Sequence, residues 1–285
     1  MTKLLEGKQV VAALNQRLRE DILQLKAKGI IPTLAIVRVG ERPDEISYER
    51  AAARRGETIG AAVRKFTLAA DVPQDKLLSV IDEINMDAEI HGCLILRPLP
   101  AHIDDKIVRN RLLPAKDIDG ITDDSLTGVF TGTTTGFPPC TAQACIEILN
   151  HFGIDPAGKR AVVMGRSLVV GKPLAMMLDQ KNATVTVCHR YTNNAPAICR
   201  DADIIVVAVG RAGLVGKESL RAGQIVIDVG INIDDAGKLC GDVNFEEAEA
   251  LVAGITPVPG GVGTVTTSVL IKHVVMAANT VCYGS

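Results

Sequence analysis

Between residues 7 and 28 apolar side chains recur at Val10, Val11, Leu14, Leu18, Ile22 and Leu25, the spacing of one helical face, and the pattern stops at Gly29 ahead of Pro32. The period then changes. Leu34–Val39 reads as a strand, Asp44 as the cap of a helix running to about Ile59, Val63–Leu68 as a second strand, Pro73–Met86 as a helix and Cys93–Leu96 as a third strand. From Arg97 to Pro139 the chain is dense in Pro, Gly, Asp and Thr, which predicts loops and a cleft wall, followed by a helix that Thr141 can cap.

The second half repeats the alternation with stronger strands. Ala161–Met164 is apolar, breaks at Gly165 and resumes as a helix near Gly171; Ala183–Cys188, Ile204–Val209 and Ile225–Val229 follow at regular spacing. Short Val- and Ile-rich runs separated by helix-length segments are the pattern of parallel strands buried on both faces of a doubly wound sheet. The fold class is therefore α/β: an N-terminal α/β part, a Rossmann-like part, and a last helix from about Thr266 to Val281 that returns to the first part. The turn after the first of these strands is suited to phosphate, since glycine admits a ligand close to the backbone and the next helix opens with unpaired N–H groups. Its spacing, Gly165 to Gly171, is not the GxGxxG fingerprint, so the same residues also read as an ordinary strand-to-helix turn.

Composition narrows the partners. With 285 residues, 47% hydrophobic and 22% charged, the chain supports two globular cores, and a net charge of −2 with no basic run argues against nucleic acid. The seven cysteines form no CxxC pair, which points to reduced thiols and to no zinc or other metal site. The first seven residues lack the apolar core of a signal peptide, and no apolar run approaches the roughly 20 residues that span a bilayer, so a cytoplasmic protein with no membrane partner is expected.

Several loops combine into a more specific signal: Tyr48, Arg97-Pro-Leu-Pro100, Pro114-Ala-Lys-Asp-Ile-Asp-Gly120, Pro139-Cys-Thr141, Gly165-Arg-Ser167, Asp228-Val-Gly-Ile-Asn232 and Thr256-Pro-Val-Pro-Gly-Gly-Val-Gly263. In this order, across essentially the whole chain, they resemble the methylenetetrahydrofolate dehydrogenase/cyclohydrolase family. The resemblance implies residues 1–140 as a catalytic, folate-binding domain, 141–265 as a Rossmann dinucleotide domain and 266–285 as a helix packing on the first. It also implies a homodimer with a folate cleft, oxidation of methylene-tetrahydrofolate with NADP or, less often, NAD, and usually hydrolysis of the methenyl product.

By position, Tyr48 is similar to the tyrosine whose ring packs on the folate, Asp119 to the aspartate that accepts the adjacent pterin N–H groups, and Pro259 and Gly263 to the loop that closes on substrate and nicotinamide. Gly165, Arg166 and Ser167 match the phosphate loop, and Thr141, Ile231 and Thr266 match further cofactor contacts. Arg190 follows the second Rossmann strand, where the adenosine ribose is read. With Arg166 it favours NADP, although a similar arginine pair in some members holds inorganic phosphate beside NAD.

Two family positions are substituted. The catalytic lysine, one helical turn beyond the tyrosine, is Ala52 here, and the supporting glutamine is Leu96. Arg50, Arg54 and Arg55 stay protonated and make poor bases, and Glu49 is the only nearby carboxylate. Hydride transfer depends mostly on positioning, whereas hydrolysis needs proton transfer. The expectation is therefore a dehydrogenase with weak or lost cyclohydrolase activity. A bifunctional enzyme with another proton shuttle, or a non-catalytic folate- or dinucleotide-binding protein, are the alternatives.

Overall fold

The computed structural model describes residues 2–234 and 236–283. The chain runs β1 (Lys3–Leu4), α1 (Gly7–Ala27), β2 (Thr33–Val39), α2 (Pro43–Ile59), β3 (Ala62–Leu68), α3 (Gln74–Met86), β4 (Gly92–Ile95), α4 (Asp105–Arg111), α5 (Asp123–Thr131) and α6 (Cys140–His151). It continues through β5 (Arg160–Met164), α7 (Gly171–Asp179), β6 (Thr184–Cys188), α8 (Ala195–Asp201), β7 (Ile204–Val207), β8 (Ile225–Asp228), β9 (Asn232–Ile233), β10 (Leu239–Cys240), α9 (Phe245–Glu249), β11 (Gly254–Ile255) and α10 (Val262–Tyr283). Two compact units result: residues 13–140 with those from 267 onward, and residues 1–12 with 141–266. No described helix is long and apolar enough to cross a membrane.

In the unit built on residues 13–140, a parallel sheet of order β3-β2-β4 has its central strand almost wholly buried, with Leu34 opposite Val63 on one side and Gly92 on the other. Its core joins Ala35 and Val37 of β2, Leu77, Ile81 and Ile84 of α3, and Cys93 and Ile95 of β4. Full burial of each such large aliphatic side chain is worth about 1.5–3 kcal/mol before entropy is counted. Helix α2 starts at Pro43, whose fixed φ suits the first turn, and stops at Gly60, which adopts φ 96 and donates its N–H to the carbonyls of Gly56 and Glu57. Asp44 is not its cap. It lies inside the first turn, where a carboxylate favours the helix dipole, and pairs with Arg42 at 2.8 Å.

The segment read as loops from Arg97 to Pro139 also contains α4 and α5, each short enough to escape a periodicity argument. Their caps are nonetheless ordinary: Asp104 accepts from the N–H groups of Lys106 and Ile107, and Thr122 from that of Ser125. Helix α6 begins at Cys140, so Thr141 stands in its first turn and caps nothing; its carbonyl accepts from the Cys145 thiol at 3.4 Å. Helix α10 begins at Val262, four residues ahead of the expected start, because the glycine-rich turn leads straight into it. From Thr267 onward it touches the 13–140 unit, with His273 Nδ1 2.8 Å from the Ile118 carbonyl oxygen.

The other unit holds a six-stranded sheet of order β1-β11-β8-β7-β5-β6, every pairing parallel. Strands β7 and β8 are buried along almost their whole length, as their apolar runs imply. Strand β6 is different: it forms the sheet edge, and Thr184, Thr186 and Val187 are exposed, so it is not covered on both faces. Residues 1–12 belong with this unit rather than with the segment that follows them, because β1 adds to the sheet as an edge strand and pairs Lys3 with Gly254 and Leu4 with Ile255. Two-residue strands such as β1 and β11 leave no readable period.

Candidate functional site

In the 13–140 unit, Tyr48 sits half-buried on α2 and Asp119 half-buried in the turn that follows Pro114–Lys116. The turn is fixed from within. Buried Asp117 accepts hydrogen bonds from the N–H groups of Ile121 at 3.0 Å and Thr122 at 2.8 Å, and Ile118 packs where Gly92 lacks a side chain: a Cβ there would lie 2.6 Å from Ile118 Cγ2. Gly120 has φ +68, and a Cβ on it would meet Pro139 N at 2.5 Å, so the turn closes tightly on the start of α6. The Ile118 carbonyl oxygen accepts from Cys140 Sγ at 3.2 Å and lies 2.8 Å from His273 Nδ1. These holding residues, Asp117, Cys140 and His273, were not singled out as such from the sequence. Nothing in local spacing links His273 to Ile118.

The electrostatics around Asp119 are unusual. Burial and the adjacent Asp117 carboxylate push its pKa up to about 7, against a hydrogen bond with Cys140 and the field of Arg97, which both favour the anion. Arg97 is itself gripped by Asp105, with Nε and Nη2 each 2.6 Å from a carboxylate oxygen. The Tyr48 phenol is pushed well above its usual range by burial, then by Asp119 and Cys140, so it stays a neutral donor at any working pH. The site thus offers one carboxyl that titrates near neutrality and one phenol that does not.

At the two positions that the resemblance matches to the family's lysine and glutamine, Ala52 is 0% exposed and Leu96 5%, so both are sealed apolar packing. Glu49 is buried on another face of α2, with Oε2 2.7 Å from Arg38 Nε and Oε1 2.9 Å from Lys65 Nζ. Burial raises its pKa, but the hydrogen bonds from Arg38 and Lys65 outweigh that and hold it below the ordinary value. Both of its carboxylate oxygens are taken up in these ion pairs.

In the 141–266 unit, β5 lies between β6 and β7, so successive crossovers leave it in opposite directions, the arrangement that opens a crevice at the carboxyl ends of the strands. Gly165 ends β5 there with φ +117, and a Cβ would sit 2.2 Å from the Ala208 carbonyl oxygen; Gly171, which opens α7, would place a Cβ 2.2 Å from the Gly165 carbonyl oxygen. Ser167 Oγ accepts from the Val170 N–H at 3.1 Å and shapes the turn. Arg166, Ser167 and Arg190 are exposed around this end of the sheet, with Arg190 stacked 4.6 Å over the Tyr191 ring, and Gly210 beyond β7 has open space where a Cβ would stand. Exposed guanidinium groups, an opening helix and bare backbone fit the phosphates and ribose of a dinucleotide.

A second recess in the same unit, about 300 Å³, is lined by Ile231, Leu239, Pro259 and Gly263 among others. Ile231 is 68% exposed, an apolar side chain left open beside the recess. The loop carrying it is anchored by two carboxylates whose role the sequence did not reveal. Buried Asp228 accepts from the N–H groups of Gly230, Asp242 and Val243 at 2.9–3.0 Å, and buried Asp242 accepts from those of Val209, Gly210 and Arg211 and from Asn232 Nδ2. Burial lifts Asp228 to about 6 despite these donors. Thr266 is half-buried and its hydroxyl donates to the Val262 carbonyl at 3.3 Å; neither it nor Thr141 lines this recess.

A parallel doubly wound sheet with a glycine turn at its switch point, joined to a second α/β unit bearing a half-buried Tyr–Asp site, defines a two-domain enzyme of the NAD(P)-binding class. Residues 5–119 match the family described as tetrahydrofolate dehydrogenase/cyclohydrolase, catalytic domain, and residues 139–282 match its NAD(P)-binding domain. The bifunctional protein FolD of Carboxydothermus hydrogenoformans is 50% identical over 279 residues, 97% of each chain. Among solved structures, the bifunctional FolD of Campylobacter jejuni is 38% identical with a TM-score of 0.95, covering 98% of this chain and 99% of that one. The Trypanosoma brucei enzyme, complexed with NADP cofactor and an inhibitor, is 33% identical with a TM-score of 0.91 and covers 99% of both. The chain belongs to the tetrahydrofolate dehydrogenase/cyclohydrolase family.

Proposed function

We propose that this protein oxidises methylene-tetrahydrofolate to methenyl-tetrahydrofolate with NADP in preference to NAD, and hydrolyses the product slowly or not at all. The observation that carries the reading is the pairing of a retained Tyr48–Asp119 site with sealed apolar side chains at 52 and 96. Above about pH 7 Asp119 is a carboxylate able to accept the adjacent N–H groups of the pterin, while the neutral Tyr48 supplies a ring to pack on and a hydroxyl to donate. A dinucleotide bound in the other unit would supply the hydride acceptor. Gly165, Arg166, Ser167 and Arg190 would hold the phosphates, with Thr141 and Thr266 as further contacts, and Ile231, Pro259 and Gly263 would give a flat ring an apolar wall. Delocalisation over the two flanking nitrogens stabilises the cation formed, so orientation is the protein's main contribution.

Opening that cation with water needs a group that trades protons, and neither Ala52 nor Leu96 does so. A bifunctional enzyme is the second reading, favoured by relatives that are themselves bifunctional. Assembly as a homodimer comes from the family likeness. Residence in a reducing compartment such as the cytoplasm is supported by the cysteines, of which six are free among the described residues. The test follows methenyl-tetrahydrofolate by absorbance with each dinucleotide and then its decay. Accumulation, with decay at the enzyme-free rate and a fall of about 100-fold in kcat/KM for Asp119→Ala, supports the proposal. Rapid decay selects the bifunctional reading, and no hydride transfer with either dinucleotide overturns the assignment.

A further inference from the structure

Strands β5, β7 and β8 end in register, with Met164 beside Val207 and Val207 beside Asp228. Asp228 therefore stands at the same carboxyl edge as the glycine turn after β5, two strand spacings or about 10 Å across the sheet. Three segments meet there, residues 209–211 after β7, 229–232 after β8 and 239–243 starting in β10, and two buried carboxylates tie them together. Asp228 Oδ1 accepts from the N–H groups of Gly230 at 2.9 Å and Asp242 at 3.0 Å, and its Oδ2 from that of Val243 at 3.0 Å. Asp242 in turn accepts from the N–H groups of Val209, Gly210 and Arg211 at 2.6–3.0 Å and from Asn232 Nδ2 at 2.9 Å. A Cβ on Gly241 would collide with Asp228 Oδ2 and one on Gly230 with the Asp242 carboxyl carbon, so glycine at these two places lets the carboxylates in.

Every donor in this set is an N–H, so both carboxyls must act as acceptors only, as ionised ones do. A proton on Asp228 turns one of its oxygens into a donor that faces an N–H, and either the bond to Val243 or those to Gly230 and Asp242 are lost. Burial lifts Asp228 to about 6 against these N–H groups, and the facing Asp242 carboxylate pushes the same way, so the proton arrives in mildly acid solution. The Cys240 thiol, raised by burial and then by Asp234, Asp228 and Asp242, stays neutral beside them. On the functional reading above, in which a dinucleotide lies along this edge, we propose that Asp228 and Asp242 form a latch. As carboxylates they hold the loops after β7 and β8 in the arrangement that receives the cofactor, and a proton on Asp228 releases them.

The test has two readouts on the full chain. The first is calorimetric titration with NAD, whose phosphates, unlike the 2′-phosphate of NADP, do not titrate between pH 8 and pH 5. Its Kd should rise about tenfold over that range, as expected when the competent state falls to about one molecule in ten. A protonated His189, next to Arg190, would tighten the binding of an anion, which is the opposite sign. Asp228→Asn, which cannot become a carboxylate, should bind NAD about tenfold more weakly at pH 8 and change by about twofold or less on going to pH 5. If NAD is too weak to measure, NADP takes its place and Asp228→Asn supplies the baseline for its 2′-phosphate. The second readout is amide hydrogen exchange of the unliganded protein, corrected for intrinsic rates. Protection of Val209, Gly210, Gly230 and Val243 should fall together from pH 8 to pH 5 while the amides within β7 keep theirs. Equal affinity at both pH values, a pH dependence that persists in Asp228→Asn, or constant protection overturns the proposal. If Asp228→Asn does not fold, Asn232→Ala decides with the unmutated protein: it removes one donor to Asp242 and should weaken binding about threefold at pH 8 with an unchanged thermal midpoint, and unchanged affinity overturns the latch. If neither dinucleotide binds at pH 8, the cofactor reading fails instead, and the exchange data alone decide the latch.

Discussion

At the end of the sheet in residues 141–266 the groups we propose to meet a dinucleotide include backbone shaped by Gly165, Gly171 and Gly210, in loops braced by the buried Asp228 and Asp242. Around Tyr48 in the 13–140 unit they are side chains, and their protonation is set by burial and by one another. The difference decides what substitution can do. Backbone donors survive most changes of side chain, so the dinucleotide region keeps its capacity while neighbouring residues drift. A site made of ionisable side chains can keep its shape and lose one chemical step when a single group changes, which is how we read Ala52 and Leu96.

The strongest way to break this comparison is to rebuild the proton-transfer pair. Ala52→Lys with Leu96→Gln should raise methenyl-tetrahydrofolate hydrolysis by about 10²-fold or more, the usual worth of general acid–base help, while leaving the dehydrogenase within a few-fold. Ala52→Lys alone should do little, since a lone lysine in a position now 0% exposed has no partner there. The decay of methenyl absorbance measures both. Hydrolysis unchanged by the double substitution, in a protein that still transfers hydride, would mean that residues other than these two set the hydrolysis rate.

The same contrast explains what the sequence made legible. Long apolar runs with regular spacing, such as those ending at Met164 and Val207, expose the parallel sheet because buried strands must be apolar throughout. The glycine turn at 165 is visible because only glycine accepts φ +117 there. Four-residue periodicity says nothing about β1 or β11, or about α4, whose single buried residue is Val108. The candidate site is half legible. Tyr48 and Asp119 come from resemblance rather than pattern, and the supports of Asp119 come from distant segments, Cys140 and His273, that meet only in the folded chain. The direction of Glu49 is set by Arg38 of β2 and Lys65 of β3, which no local pattern links to it.

A sharper probe of the backbone-built region is the one side chain there assigned a discriminating role. Arg190 is exposed, stacked on Tyr191, and carries no ion pair among the described residues. Arg190→Ala should cut the NADP over NAD preference in kcat/KM by about 30-fold, corresponding to about 2 kcal/mol of charge-assisted contact, with little change in folate KM. Parallel kinetics in phosphate-free buffer measure it. Equal use of both dinucleotides by the unmutated protein, or NAD activity that climbs steeply on adding phosphate, transfers the arginine's role to an inorganic anion.

The smallest effect tests whether the side-chain-built region is governed by ionisation. Burial pushes the Asp119 pKa up to about 7, above the usual aspartate value near 4, so below neutrality it is protonated and the carboxylate we propose for the pterin is missing. Folate KM should therefore rise roughly tenfold between pH 8 and pH 6, and Asp119→Asn, neutral throughout, should flatten that dependence while raising KM at pH 8. Stability supplies an independent readout of the same shift. Because the folded pKa lies above the unfolded one, the contribution of neutral Asp119 is fully present below about pH 4 and is lost as pH rises toward 7. Asp119→Asn should then match the unmutated protein at pH 4 and melt at a higher temperature at pH 8. A variant no more stable at pH 8 than its parent would place the Asp119 pKa near its ordinary value, and the pH dependence of KM would have to come from another group.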